Sequence, residues 1–162
     1  IDIKNSKSDE ETLSLAGEFI NEDKIILPED VIAADKFEEN AKSKNADINK
    51  MPDGWIIMDI GNKTIENYKN KLKNAKTIVW AGPLGVFEFE KFSNGTKQIA
   101  EFIAGLNATT IIGGGDSAAA VYKFGLAGKM THVSTGGGAS LEFIEKNGKL
   151  PALVALEDAA KR

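Results

Sequence analysis

The sequence has no cysteine, which removes disulfides, thiolate metal sites and a thiol nucleophile, and fits a reducing compartment. Histidine occurs once, at His132, and a lone histidine is weak as a metal site and more readily structural than a general base. No apolar run approaches the roughly 18 residues a membrane helix needs. Basic residues number 20 against 24 acidic ones, for a net charge of −4, so no global positive field exists to draw nucleic acid or an acidic membrane. There is no signal peptide, and the chain opens on Ile1 without a Met, so it reads as a piece of a longer polypeptide. What remains is an ordinary globular composition, 42% hydrophobic and 27% charged over 162 residues, enough for one domain with a real core.

Ser8 followed three residues later by Glu11 has capping-box spacing, and Leu13, Ala16, Phe19 and Ile20 continue it as a helical stripe. The segment "KIILPEDVIAADKF" predicts a strand, a proline-containing turn or bulge, and a second extended run. Residues 38–54 are polar and rich in Lys and Asn, a loop with room for one extended piece. From there the pattern is regular. "WIIMDIG", "TIVWAGPLG", "TTIIGGG" and "THVSTGGG" predict strands, followed by helices over 62–74, 93–105, 116–124 and 139–146. Short strands, apolar on both faces and each followed by a helix, predict a parallel sheet covered by helices. No linker, low-complexity tract or repeat beyond this βα rhythm interrupts the chain.

Both glycine triplets, Gly113–Gly115 and Gly136–Gly138, stand between a strand and a helix. Ligands of open parallel sheets bind at the carboxyl ends of the strands. A helix start there offers free N–H groups and a positive dipole end, which suits phosphate. Glycine lets backbone approach phosphate oxygens closely. Neither triplet fits the G-x-x-x-x-G-K-[ST] or G-x-G-x-x-G pattern. Asp116 is either a helix cap or a magnesium carboxylate beside bound phosphates. Ser117, Ser134 and Thr135 either bind phosphate or belong to the turns. In "WAGPLGVFEFEKF", Gly82, Pro83 and Gly85 fix an unusual loop. Its aromatics are core or base-facing, and Glu88 is solvated or bonded to ribose.

Five stretches, "LPEDVIAADKF", "MPDGWIIMDIG", "WAGPLGVFEFEKFSNGT", "TTIIGGGDSAAA" and "HVSTGGGASLEF", occur in the order found in phosphoglycerate kinases and closely resemble the carboxy-terminal half of that family. The resemblance runs from about residue 25 through "GKLPALVAL" and is weakest over residues 1–20. It implies an α/β, three-layer, Rossmann-like open parallel sheet with helices on both faces, truncated at its N-terminal side. Residues 1–162 would be part of the C-terminal nucleotide-binding domain, with the N-terminal substrate domain absent. The implied reaction transfers phosphoryl between ATP and 3-phosphoglycerate, giving 1,3-bisphosphoglycerate and ADP. Glu88 would bind the ribose; Met58, at a strand end, and Gly82, Leu84 and Phe87 would border adenosine. Asp116 would hold Mg²⁺, with Gly114, Gly115 and Ser117 beside the phosphates. Gly136 and Gly137, after Thr135, would stabilise the phosphoryl group in flight.

Two positions depart from the family pattern. Ala81 stands where W-N-G-P has the Asn that contacts nucleotide phosphate, and Ile57 stands where a small residue is common near adenine. The arginine-rich acid site and a lysine-containing nucleotide loop of the family are not in this sequence. A stand-alone phospho-ligand-binding module and a folded remnant without useful affinity are the alternatives to a kinase fragment. The resemblance also implies a cytoplasmic, monomeric parent that binds neither nucleic acid nor membrane, with 3-phosphoglycerate bound by the missing domain.

Overall fold

The computed structural model describes residue 6 and residues 8–161. The chain divides into two compact units, one from Ile1–Lys71 with Leu84–Ile99 and one from Leu72–Pro83 with Ala100–Arg162. The divisions fall at a helix end, at the Pro83–Leu84 bond and within a helix. No linker marks them, so composition gives no sign of them.

The first unit opens with α1 (Glu10–Phe19). Its N-cap is Asp9, which accepts the Thr12 N–H at 2.7 Å. The cap is therefore one residue later than the Ser8 capping box predicts, because carboxylate Asp9 is as good a cap and is placed to reach Thr12. The predicted strand at "KIIL" is absent: residues 24–27 are irregular. Three strands follow, β1 (Asp30–Ala34), β2 (Ser43–Asp47) and β3 (Ile56–Ile60), in the order β2-β1-β3. β2 is the extended piece expected within residues 38–54.

Both pairings are antiparallel, which corrects the reading of "WIIMDIG" as a strand of the parallel sheet. The physical reason lies in β1, the central strand. Val31 and Ala33 pack on one face with Ala46, Ile48 and Met51, joined by Trp55 and Ile57. Ala34 packs on the other with Ala41, Met58 and Phe92, joined by Ile32, Ile56, Val86 and Phe89. An antiparallel sheet covered on both faces has the continuous apolar strands otherwise typical of parallel ones.

α2 (Asn62–Leu72) follows β3, and Asp30 holds its start. The Asp30 carboxylate accepts the Thr64 N–H at 2.9 Å, the Lys63 N–H at 3.3 Å and the Asn45 side-chain amide at 2.9 Å. Burial pushes the Asp30 carboxyl up, but these bonds from Asn45, Thr64 and Lys63 outweigh it and leave it below its ordinary value. α3 (Asn94–Ala104) begins in this unit.

The second unit holds β4 (Thr77–Ala81), β5 (Thr109–Gly113) and β6 (His132–Ser134), parallel and in the order β4-β5-β6. α4 (Gly115–Lys123) and α5 (Gly137–Glu145) both pack on β5. This is the α/β arrangement expected from the sequence, a parallel sheet flanked by helices. Ile78, Trp80 and Ile112 are buried, as are Ala118, Ala120 and Val121 of α4. Val79 and Ile111 instead line a hollow of about 470 Å³ shared with Phe143 and Ile144 of α5. α6 (Pro151–Ala160) starts with proline at its first turn, where the missing N–H costs nothing. Among the described residues no helix is long and apolar enough to cross a membrane.

Candidate functional site

The glycine triplets end two adjacent parallel strands, and the backbone ties them together. Gly113, at the end of β5, is paired in register with Ser134, at the end of β6. The Gly114 N–H donates to the Ser134 carbonyl at 3.0 Å. A Cβ on Gly137 would lie 2.8 Å from the Gly114 Cα, closer than real contacts allow. The two turns therefore touch through glycine backbone, which no other residue at 137 permits without separating them. Gly114 has φ 104, a left-handed value that favours glycine.

Each helix then starts with N–H groups that precede the first intrahelical bond. In α4 the bond that closes the first turn is Ala118 N–H to Gly114 O at 2.9 Å, so Gly115, Asp116 and Ser117 precede any intrahelical acceptor. In α5 the corresponding bond is Ser140 N–H to Gly136 O at 3.2 Å, which leaves Gly137, Gly138 and Ala139 in the same condition. Two helix starts held side by side concentrate N–H groups and positive dipole ends at one edge of the sheet.

Asp116 stands in the first turn of α4 and is exposed. The cap itself is Gly114, with no side-chain capping bond. The capping role considered for Asp116 therefore gives way: its carboxylate lies beyond the cap position. Thr135 is exposed, and the Gly136 N–H donates to Ser134 Oγ at 3.2 Å. Ser117 is fully buried, and its Oγ accepts the Gly82 N–H at 2.6 Å. Trp80 donates its indole N–H to the Gly82 carbonyl at 2.5 Å. Gly82, at φ 100, is thus clamped through both backbone groups. Replacing Ser117 by Ala should lower stability by about 1 kcal/mol, the value of one hydrogen bond. A melting curve that matches the wild type would show that the clamp contributes nothing.

In the first unit the loop from Leu84 to Phe89 carries the other candidates. Phe87 is buried and Glu88 is exposed. Met58 is not at a strand end but in the middle of β3, buried against Ala34, Ala41 and Phe92. Its side chain is core, and it reaches the loop through its carbonyl, which accepts the Val86 N–H at 2.8 Å. Ile57 packs with Val31 and Ala33 in the antiparallel core. His132 is exposed at the start of β6. Among the described residues no three His, Cys, Asp or Glu side chains are grouped to hold a metal.

Asp59 is a residue that sequence reasoning missed. It is 1% exposed and accepts the N–H groups of Gly95 and Ile60, each at 2.8 Å. Burial pushes its carboxyl up to about 6, because two bonds do not offset desolvation. A folded-state value above the unfolded one means that its contribution is fully present below about pH 4 and lost as pH rises through 6. Relative to Asp59→Asn, the wild type should lose on the order of 3 kcal/mol between pH 4 and 7. Urea unfolding of both proteins across that range checks this, and a pH-independent difference would contradict it.

The second unit and its paired helix starts define an open parallel α/β sheet whose carboxyl edge presents backbone donors. The sequence model of the phosphoglycerate kinase family matches residues 1–147. Phosphoglycerate kinase of Oenococcus oeni is 51% identical over 164 residues, covering 98% of this chain and 40% of the relative. That of Pseudothermotoga lettingae is 50% identical, covering 98% and 41%. The solved phosphoglycerate kinase of Coxiella burnetii superposes with a TM-score of 0.87 at 41% identity, over 98% of this chain and 42% of that one. The Pyrococcus horikoshii structure gives 0.78 at 35% identity, over 93% and 37%. The chain belongs to the phosphoglycerate kinase family and spans about two fifths of the length of these relatives.

Proposed function

We propose that residues 1–162 are the nucleotide-handling part of a phosphoglycerate kinase. The whole protein would pass a phosphoryl group between ATP and 3-phosphoglycerate in glycolysis, with ADP and 1,3-bisphosphoglycerate as the other pair. The observation that carries this reading is the stitched pair of glycine turns at one sheet edge, with Asp116 in the first turn of α4. Phosphoryl transfer asks a protein mainly for positioning and for stabilisation of charge on the moving group. Backbone donors at a glycine-lined helix start provide both without a flexible side chain.

The N–H groups of Gly115 and Ser117, with Gly114 beside them, would take the nucleotide phosphates. Those of Gly136 and Gly137, after Thr135, would face the phosphoryl group in transit; Gly136 would exchange its present bond to Ser134 for that contact. Asp116 fits Mg²⁺ as one hard oxygen donor. With no three-residue cluster among the described residues, phosphate oxygens and water would complete the shell, as is usual for this ion. When bound, the ion would supply charge neutralisation to the phosphates.

Glu88 would accept from the ribose hydroxyls. Gly82, Leu84 and Phe87 would border the base, with Met58 supporting the loop from the core. A substrate domain outside this chain would bind 3-phosphoglycerate, and the parent would be a cytoplasmic monomer. A coupled assay for ADP formation tests the reading. The full-length protein should turn over ATP only with 3-phosphoglycerate, and this chain alone should show no turnover above a mock preparation. Titration of this chain with Mg-ADP should give high-micromolar to millimolar affinity, about −4 to −6 kcal/mol. Sub-micromolar binding would favour a self-sufficient binding module instead.

A further inference from the structure

Asp59 on β3 and Thr96 in the first turn of α3 are buried polar side chains, 1% and 0% exposed. Both are turned to the same loop. Thr96 Oγ1 accepts the N–H of Leu84 at 3.1 Å and that of Gly85 at 3.2 Å. The next amide, Val86 N–H, is taken by the Met58 carbonyl at 2.8 Å. Three consecutive loop amides thus end on groups outside the loop. Asp59 lies directly beneath. A Cβ on Gly85 or on Gly95 would overlap its Oδ1, and one on Gly85 would also lie 2.7 Å from the Phe92 carbonyl. The same carboxylate accepts the Gly95 N–H at 2.8 Å, which holds the start of α3 and so places Thr96.

We infer that Asp59 and Thr96 are positioning residues that set the shape of the Leu84–Glu88 loop and so aim Phe87 and Glu88 at the nucleoside. This rests on the nucleoside role proposed above for that loop. A loop already held by its amides loses little conformational freedom when a ligand arrives, so affinity is not spent on ordering it. Loosening it should weaken ATP and leave the other substrate alone. Asp30 provides the contrast: it too is a buried aspartate at a helix start, but its partners are Asn45, Lys63 and Thr64, none of them in the loop.

Steady-state kinetics on the full-length protein test the inference. Thr96→Val and Asp59→Asn should each raise the ATP KM about tenfold with the 3-phosphoglycerate KM unchanged. Thr96→Ser, which keeps the hydroxyl, should stay at the wild-type ATP KM. Asp30→Asn should lower the Tm without moving the ATP KM. If Asp59→Asn does not fold, the nearly isosteric Thr96→Val and its serine counterpart decide. Variants that lower the Tm as Asp30→Asn does, with a wild-type ATP KM, would overturn the inference. Glu88→Ala separates the two levels. A raised ATP KM there, with none in Thr96→Val, overturns the positioning role alone. An unchanged ATP KM in both overturns the nucleoside role of the loop as well.

Discussion

Asp116→Asn in the full-length protein is expected to lower turnover by about 10²–10³-fold, the scale of losing one charge-stabilising group at a phosphoryl centre. The Tm should fall by no more than about 3 °C. Gly114 caps α4 without a side chain, so the substitution removes no cap. What it removes is a carboxylate in the first turn, worth about 0.3–1 kcal/mol against the helix dipole. The amide is a poor magnesium ligand because it is uncharged. Raising the Mg²⁺ concentration should restore part of the activity. Near-normal turnover with a loss of many degrees would make Asp116 a residue of the fold.

Gly137→Ala should be the most damaging single methyl in the second unit. The added carbon would meet the Gly114 Cα at 2.8 Å and its nitrogen at 3.3 Å. Both neighbours are backbone, and Gly114 is bonded to Ser134, so neither turn can yield without breaking the other. Stability should fall by about 1–3 kcal/mol, and turnover by about 10²-fold, as expected when donors are misplaced by an ångström. Gly138→Ala is the matched control, since its Cβ would meet nothing within 4 Å and both properties should stay near wild type. Equal effects at 137 and 138 would mean that the close approach of the turns is unimportant.

The parts of this architecture that are local in sequence can be read from it. From Thr77 onward, each strand–glycine–helix unit lies where apolar runs and helix starts predict, and α4 and α5 begin within two residues of expectation. The antiparallel sheet is harder to read, because β1 and β3 are covered on both faces and so resemble parallel strands. Asp116 reads from the sequence as either a helix cap or a magnesium carboxylate, because Asp is a good cap; the Ala118 N–H bond to the Gly114 carbonyl, which makes Gly114 the cap, is not visible in the sequence. Asp59 gives no local signal. Its partner Gly95 is 36 residues away, and a single aspartate in an apolar strand does not reveal which helix start it will meet. Gly85 and Gly95 are the trace it leaves, both needed because the carboxylate occupies the space of a Cβ. Met58 differs in placement: the sequence puts it at a strand end, and the fold puts it in the middle of β3 with its side chain buried.

The most direct test is a crystal structure of the full-length protein with Mg²⁺ and a non-hydrolysable ATP analogue. The nucleotide phosphates should lie on the N–H groups that open α4, with the metal about 2.0–2.1 Å from an Asp116 oxygen and the ribose hydroxyls on Glu88. Phosphates bound elsewhere, with Asp116 facing solvent and the glycine turns empty, would contradict the account.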